Sequence, residues 1–171
     1  MEKSKTLYVM CGIPGSGKST FIKQYFVKDS EEGIVVSRDQ IRFSLVKEDE
    51  SYFSKEKEVY KTFIKEIKEG LENKNEVNHV IADATHLTPI SRSKLFRSLG
   101  TSLKDVKVIG VVIDTPLKVA LERNAERSGR ELVPETAICN MKKSFMIPDL
   151  EEGFDRIYIY KYANNSVRVI D

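Results

Sequence analysis

The sequence predicts an α/β fold of three layers, in which helices cover both faces of a five-stranded parallel sheet. Two observations predict this class. Short apolar runs of strand type alternate along the chain with stretches of helical periodicity, which is typical of a parallel sheet. The first apolar run also leads through a glycine-rich turn straight into a helix, and open parallel sheets bind their ligands at such carboxyl ends of strands.

Length and composition bound this prediction. The 171 residues suit one domain, residues 1–171, with no linker and no internal repeat. Lysine and arginine number 28 against 26 acidic residues, so the net charge of +2 neither requires nor excludes a polyanionic partner. Cys11 and Cys139 fit neither a disulfide framework nor a metal site, so we expect a reducing compartment, the cytoplasm. No apolar run approaches the roughly 18 residues of a membrane span, and residues 2–5 are polar, so we expect neither a membrane span nor a signal peptide.

A phosphate-binding motif follows the first strand. Residues 12–19 read G-x-x-x-x-G-K-S between the apolar run 7–11 and a helix, the context that this motif requires. Glycines let backbone N–H groups approach phosphate oxygens, Lys18 adds a cation for the β- and γ-phosphates of ATP, and the Ser19 hydroxyl is a ligand for Mg²⁺. The alternative is a turn that only connects strand and helix. The residues expected to bind the nucleotide here are Gly12, Gly15, Ser16, Gly17, Lys18, Ser19 and Thr20.

An acidic and a basic residue follow the second strand. After a polar turn at 29–33, the apolar run 34–36 predicts this strand, and a helix opens beyond it. Asp39 and Arg42 lie three apart on one face of that helix, near the phosphates held by the first loop. Asp39 is placed to accept a proton from an attacking hydroxyl. The alternative makes Asp39 a favourable helix N-terminal residue and Arg42 its surface ion-pair partner.

A long amphipathic helix is predicted over 54–73. Its lysines and glutamates are interpreted as a solvated face, and the polar connector 47–51 before it borders a possible acceptor site. Its apolar stripe consists of Val59, Tyr60, Phe63, Ile64, Ile67 and Leu71.

The third strand ends in Asp83. An aspartate at this place holds a water bound to Mg²⁺ or orients neighbouring polar groups, and Asp39 is the other acidic candidate for the same role. The alternative is an aspartate that only ends a strand and starts a turn. His79 and His86 are not spaced as a metal pair, and a hydrogen-bonding or surface role is expected for His86.

The next helix is predicted to begin at Thr88-Pro89 and to end at Gly100. Its inner face carries Leu95, Phe96 and Leu99. Its basic residues Arg92, Lys94 and Arg97 are expected to be solvated. The run 106–113 is the clearest buried strand of the sequence.

A helical lid is predicted after this strand. The helix from Pro116 turns Leu117, Ala120 and Leu121 inward, and a break at Ser128-Gly129 follows. Guanidinium groups on such a segment stabilise charge on a transferred phosphoryl group, and closure excludes water. The alternative is a solvated face, because glutamates are interspersed. The lid arginines are Arg123, Arg127 and Arg130.

The C-terminal part is predicted to complete the sheet. Pro134 starts a helix whose methionine-aromatic stripe is interpreted as core, and Pro148 ends it. The run 154–160 is the last parallel strand, and 167–170 adds a short edge strand after the turn at 164–165. The tyrosines of this region are interpreted as structural.

Four features in this order resemble the polynucleotide 5′-hydroxyl kinase family of P-loop phosphotransferases, over nearly the whole chain. The Asp-x-x-Arg after the second strand, combined with the later Arg-Asn-x-x-Arg, is more selective than the phosphate motif. The features are the phosphate motif, Ser37-Arg38-Asp39 with Arg42, Asp83-Ala84-Thr85, and Arg123-Asn124 with Arg127 and Arg130.

On the nucleotide side, the resemblance implies that Lys18 and Ser19 bind the phosphates of ATP and Mg²⁺. It implies further that Arg127 contacts the donor phosphates from the lid and that Arg123 stacks near the adenine. Arg130 matches the lid motif less closely than Arg123 and Arg127, because the spacing of lid residues varies in this family.

On the acceptor side, the resemblance implies that Asp39 is the general base toward a 5′-hydroxyl group. Arg42 would hold the adjacent phosphate of the acceptor, and Asp83 would be an essential polar group near it. This sequence shows no phosphatase or ligase module beside the kinase, so a complete end-healing enzyme is not implied.

The expected function is therefore transfer of the ATP γ-phosphoryl group to the 5′-hydroxyl of an RNA or DNA end. A small-molecule kinase, for a nucleoside or a nucleotide sugar as in the zeta-toxin group, is the first alternative. An ATP-dependent binding switch is the second. A basic surface that leads to Arg42 and is wide enough for a strand favours the nucleic acid, whereas a closed pocket lined by Tyr or Phe favours a small acceptor.

Overall fold

The sheet at the centre of the fold has six strands. A computed structural model describes residues 5–27, 33–73 and 77–171 of the protein. The strands are β1 (Lys5–Cys11), β2 (Gly33–Ser37), β3 (His79–Asp83), β4 (Val106–Asp114), β5 (Arg156–Lys161) and β6 (Ser166–Ile170). Their order across the sheet is β2-β3-β1-β4-β5-β6, and the first five run parallel. The predicted α/β class is confirmed.

The sheet differs from the five-stranded prediction by one strand. β6 pairs antiparallel with β5 at the edge, in the region where the sequence indicates a short edge strand. The connection explains the reversal, because a 3₁₀ turn over Tyr162–Asn164 is followed by Asn165 at φ 48°. Asparagine tolerates this left-handed conformation better than most residues, so the chain turns back on itself. The predicted turn at 29–33 lies outside the described residues except for Gly33, which begins β2.

Six α-helices accompany the strands in the described part of the chain. The first is short and continues as π-helical turns over Lys23–Val27. The helix predicted from Thr88-Pro89 begins there, because the Thr88 side chain accepts from the Ser91 N–H at 3.2 Å and Ser91 Oγ accepts from the Thr88 N–H. No helix in the described residues is both long and apolar enough to cross a membrane. The helices are α1 (Lys18–Ile22), α2 (Arg38–Leu45), α3 (Glu56–Glu72), α4 (Pro89–Leu99), α5 (Leu117–Ala125) and α6 (Glu135–Ser144).

The core forms separate clusters around the sheet. The apolar stripe predicted for the long helix is buried in the largest cluster, with Tyr60 half-buried at its margin, and the inner face of α4 joins it. A second cluster joins α1 to the sheet through aromatic rings, with the Phe21 and Tyr160 centroids 4.5 Å apart. The structural role predicted for Tyr160 is confirmed by this contact. The two thiols, of Cys11 and Cys139, are free.

Arg92 is not solvated as predicted, although Lys94 and Arg97 of the same helix are exposed. Its side chain is 0% exposed, and Nε and Nη2 donate to the two carboxylate oxygens of Glu152 at 2.6 and 2.8 Å. Nη1 donates to the His86 and Met146 carbonyls at 2.9 and 3.0 Å. The prediction is wrong because a charge that is fully paired and hydrogen-bonded can stay in the interior.

Replacing Arg92 is expected to destabilise the fold strongly. Arg92→Met removes the cation that pairs with Glu152 and the donor to the His86 and Met146 carbonyls, so the free energy of unfolding should fall by about 3–5 kcal/mol. Urea unfolding at pH 7 measures this loss. The matched control is Arg97→Met on the exposed side of α4, which should change stability by less than about 0.5 kcal/mol. Equal midpoints for the two variants would contradict the assignment.

Candidate active site

The phosphate loop joins β1 to α1 and lies against the start of the lid. Gly15 has φ +77°, and a Cβ there would lie 2.3 Å from the Ala120 carbonyl oxygen, so only glycine fits. The loop carbonyl of Ser16 accepts from Thr115 Oγ1 at 2.7 Å and from Arg123 Nη1 at 3.0 Å. The end of β4 and helix α5 therefore hold the loop in its curved conformation.

Lys18 reaches back over this loop. Its Nζ donates to the carbonyls of Gly12 and Ile13 at 2.9 and 3.0 Å. Burial lowers the pKa of Lys18, while Asp83 and Asp39 favour the charged form and oppose the shift. The lysine ammonium and both predicted carboxylates therefore share one electrostatic environment.

Asp39 stands at the start of α2 with a well-defined set of partners. Its side chain is 69% exposed, and Oδ1 accepts from Arg42 Nη1 at 2.6 Å and from the Tyr52 hydroxyl at 3.1 Å. The remaining oxygen, Oδ2, makes no hydrogen bond within the described residues. One oxygen is thus fixed, and the other stays accessible from solvent.

Arg42 is buried beneath Asp39, with 5% exposure. Besides Asp39 it binds Glu56 Oε2 at 2.9 Å and the Tyr52 hydroxyl at 3.1 Å, and its guanidinium lies 4.6 Å from the centre of the Tyr52 ring. The surface ion pair of the alternative interpretation does not fit a buried guanidinium. An acceptor phosphate would reach this group only after Tyr52 or Glu56 moves aside, so its phosphate-binding role stays a prediction.

Asp83 closes the site on the side of β3. It pairs in register with Ser37 of β2, whose side chain forms a hydrogen bond to it, and the Gly12 N–H donates to the Thr85 carbonyl at 3.0 Å. Burial raises the pKa of Asp83; Lys18 opposes the rise, and the Asp39 carboxylate adds to it. The ends of β2, β3 and β1 therefore bring the two acids and the lysine together, as the parallel order predicts.

The lid arginines take three different positions. The Arg127 side chain makes no hydrogen bond or ion pair within the described residues, but it lies near enough to Lys18 to lower the pKa of the lysine. Arg123 packs on the phosphate loop and lies 4.8 Å from the Tyr162 ring centre. Arg130 instead donates to the Val46 carbonyl at 2.6 Å, at the end of α2. Only Arg127 is both near Lys18 and free to bind a phosphate.

Asn124 ties the lid segment to its base. It is buried, its Nδ2 donates to the Val133 carbonyl at 2.7 Å, and its Oδ1 accepts the Val133 N–H at 3.0 Å. The amide of Asn124 thus binds both the N–H and the carbonyl of Val133. The segment between them, which carries Arg127 and Arg130, is consequently a loop closed at its base.

His86 is the hydrogen-bonding residue that the sequence suggests, in a buried position. Nδ1 lies 2.7 Å from the Met10 carbonyl, which only accepts, so Nδ1 carries the proton. Burial lowers the pKa of His86 to about 4, and the cations Arg38, Lys18 and Arg92 contribute to the shift. The ring is therefore neutral at pH 7.

The residues present fit a nucleotide with Mg²⁺. Ser16 Oγ is buried and has no partner in the described residues. The glycines of the loop carry no side chains that would keep phosphate oxygens away from its backbone N–H groups. Ser19, Asp39 and Asp83 offer the hard oxygen atoms that Mg²⁺ prefers. The described residues contain no cluster of three or more His, Cys, Asp or Glu side chains suited to a metal, so water and phosphate would complete the coordination.

Sequence reasoning missed Tyr52 and Glu56. Glu56 begins α3 and pairs with both Arg38 and Arg42, although the charged residues of this helix are predicted to be solvated. A signal existed, because two arginines four residues apart share a helix face and need an acidic partner when they are buried. Nothing in the sequence alone indicates that Tyr52 would bind the carboxylate of Asp39.

The space at Gly15 predicts a loss of stability on substitution. Gly15→Ala and Gly129→Ala both force alanine into a left-handed conformation, but a Cβ at Gly129 meets no atom within 4 Å. Gly15→Ala should therefore cost about 1–3 kcal/mol more, because it also overpacks the loop. Urea unfolding of the two variants measures the difference. Equal losses of stability in the two variants would contradict this prediction, because the loop would then accommodate the methyl group at Gly15 without an additional cost.

The depressed pKa of His86 predicts a pH dependence. Below its ordinary value of 6.5 the unfolded chain binds a proton that the folded protein excludes until about pH 4. The free energy of unfolding should therefore fall by up to about 3 kcal/mol as the pH drops through this window. His86→Asn, which tolerates the φ of +41°, should remove this part of the slope. Urea titrations between pH 4 and 7 compare the two proteins, and parallel curves would contradict the assignment.

Comparison with protein families matches residues 7–148 to the family described as AAA domain. The chain is 32% identical over 157 residues to the L-seryl-tRNA(Sec) kinase of Methanococcus maripaludis, covering 87% of this chain and 56% of that protein. It is 28% identical over 160 residues to a putative bifunctional polynucleotide phosphatase/kinase of Acanthamoeba polyphaga mimivirus, covering 91% of this chain and 33% of that protein. The chain thus spans about half of one relative and a third of the other.

Among solved structures, the Pnkp1/Rnl/Hen1 complex contains a chain with 27% identity and a TM-score of 0.57 to this protein. The match covers 72% of this chain and 40% of that chain. These relatives confirm the resemblance drawn from the four sequence features. Because the family match extends over most of the chain, the protein belongs to the AAA domain family and has the P-loop kinase fold.

Proposed function

We propose that the protein is an ATP-dependent kinase that transfers the γ-phosphoryl group to the 5′-hydroxyl of a nucleic-acid end. The observation that carries the proposal is the position of Asp39. Its carboxylate is exposed, one of its oxygens is fixed by Arg42 and Tyr52, and it shares the electrostatic environment of Lys18 and Asp83. A phosphate loop alone needs no such carboxylate for binding a nucleotide.

The proposed step is a direct displacement. The acceptor oxygen forms a bond to the γ-phosphorus while the bond to the oxygen bridging the β-phosphate breaks, and ADP leaves. The proton of the acceptor hydroxyl moves to Oδ2 of Asp39, whose Oδ1 stays bound to Arg42 and Tyr52. Lys18 and Arg127 bind the donor phosphates and compensate their charge. Mg²⁺, when bound, neutralises phosphate charge and helps to orient the triphosphate.

Similarity to two relatives supports a nucleic-acid acceptor. One relative is called a polynucleotide phosphatase/kinase and the other a kinase of seryl-tRNA, so both names refer to substrates that contain nucleic acid. The surroundings of Asp39 agree with a wide acceptor. They are lined by Tyr52 and Phe53, but Phe53 is 66% exposed, so they do not form the closed pocket expected for a small molecule.

A second candidate is transfer to a hydroxyl on a residue carried by tRNA, which the 32% identity to the seryl-tRNA kinase favours. A small-molecule kinase remains the alternative, and it would require a closed acceptor pocket in place of the open surroundings of Asp39. A binding switch is less well supported, because slow hydrolysis would not need Asp39 fixed by a buried arginine. The cytoplasm remains the proposed location.

One labelling experiment separates these acceptors. The protein is incubated with Mg²⁺ and γ-labelled ATP against 5′-OH RNA, 5′-OH DNA, seryl-tRNA with a phosphorylated 5′ end, nucleosides and nucleotide sugars. The proposal expects label on the 5′-OH ends. Label on seryl-tRNA alone would establish the second candidate. Label on small molecules alone would contradict both nucleic-acid candidates. ATP hydrolysis without any labelled acceptor would favour the binding switch.

Removing the carboxylate charge of Asp39 tests the assigned base. Asp39→Asn should lower kcat for the labelled acceptor by about 100- to 10,000-fold, because no group then accepts the proton, while ATP binding changes little. Glu66→Gln, on the exposed face of α3, is the control that also removes one carboxylate charge, and it should keep the activity. Steady-state kinetics and ATP titration of both variants measure the effects. Wild-type turnover of Asp39→Asn at saturating substrates would refute the general-base role.

A further inference from the structure

Phe53 is an exposed aromatic residue on an ordered segment. Its side chain is 66% exposed, whereas most large apolar side chains of the chain are buried. The connector between α2 and α3 that carries it is built of hydrogen-bonded turns, in which the Glu50 N–H donates to the Lys47 carbonyl at 3.1 Å and the Ser54 N–H to the Ser51 carbonyl at 2.9 Å. These turns therefore hold the Phe53 ring in a defined position at the protein surface, exposed to solvent.

That place is beside the proposed general base. The Phe53 and Tyr52 ring centres are 4.9 Å apart at an interplanar angle of 86°, and the Tyr52 hydroxyl binds Asp39 at 3.1 Å. The guanidinium of Arg42 lies 5.9 Å from the Phe53 ring centre. When the hydroxyl of an acceptor lies against Asp39, the groups next to that hydroxyl can consequently reach the Phe53 ring.

A second aromatic ring extends the same surface. Phe43 lies 6.5 Å from Tyr52 between ring centres, and the guanidinium of Arg130 lies 4.9 Å from the Phe43 ring centre. An open groove of about 560 Å³ lies beside Phe43, and it is lined by Phe43, Glu48, Gly129, Arg130 and Glu131. Its volume matches that of sites for nucleotide-sized groups. Phe43 and Phe53 thus both lie next to Tyr52, whose hydroxyl binds Asp39.

We propose that Phe53 is the platform on which the nucleobase of the acceptor's terminal nucleotide stacks. This inference rests on the proposed transfer to a nucleic-acid end. Every base has a π-face, so an exposed ring binds any sequence. Phe53 would set the affinity for an acceptor that carries a base, without touching the reacting atoms.

The test compares two acceptors that differ only in the terminal base. One is a 5′-OH oligonucleotide with its base, and the other has an abasic 5′-terminal nucleotide. Phe53→Ala should raise KM for the first by roughly 10- to 100-fold with little change in kcat, and should leave KM for the abasic acceptor unchanged. Phe53→Trp should retain the affinity. Ile90→Ala, which alters a 79% exposed apolar residue on α4, is the control and should behave as the wild type.

Direct binding provides a second readout. Fluorescence anisotropy of a 3′-labelled 5′-OH oligonucleotide, without ATP, should show the same loss of affinity for Phe53→Ala. Wild-type KM for this variant, or an equal loss on both acceptors, would overturn the stacking role while transfer itself persists. Absence of label on every 5′-OH end with the wild-type protein would instead overturn the proposed function, and the stacking role with it.

Discussion

The buried guanidinium of Arg42 links the parts of the site that come from different elements. It is held by Asp39 on its own helix, by Glu56 at the start of α3 and by Tyr52 from the connector between them. A buried cation with these partners is costly to disturb, because removal of one partner leaves an uncompensated charge. Asp39, which we propose as the general base, the groups that orient it and the packing of α2 on α3 therefore form one unit.

The phosphate loop depends on a different constraint, close backbone contact. Gly15 lies against the Ala120 carbonyl, and the Ser16 carbonyl is held by Thr115 and Arg123. The element that carries the lid thus also shapes the loop that it would cover. These direct contacts couple the position of the phosphate loop to that of α5 and make the loop sensitive to small shifts of this helix.

The lid and the acceptor side are joined by Arg130. Its side chain binds the Val46 carbonyl at the end of α2, whose other end carries Asp39, while Asn124 closes the lid segment at its base. A movement of the lid that brings Arg130 to the phosphates would release this contact. In the proposed kinase, closure of the lid segment would therefore be physically connected to the position of α2, the helix that carries Asp39.

The sequence by itself determined the α/β class, the parallel strands and the motifs at their ends, because these follow from hydrophobic periodicity, glycine positions and short-range spacing. It placed Lys18, Asp39 and Asp83 at one edge for the same reason. The tertiary structure alone decided that Arg92 is buried and that Tyr52 binds Asp39, since both depend on partners brought from distant positions along the chain. Local patterns carry no information about such partners, and burial of a charge is decided by them.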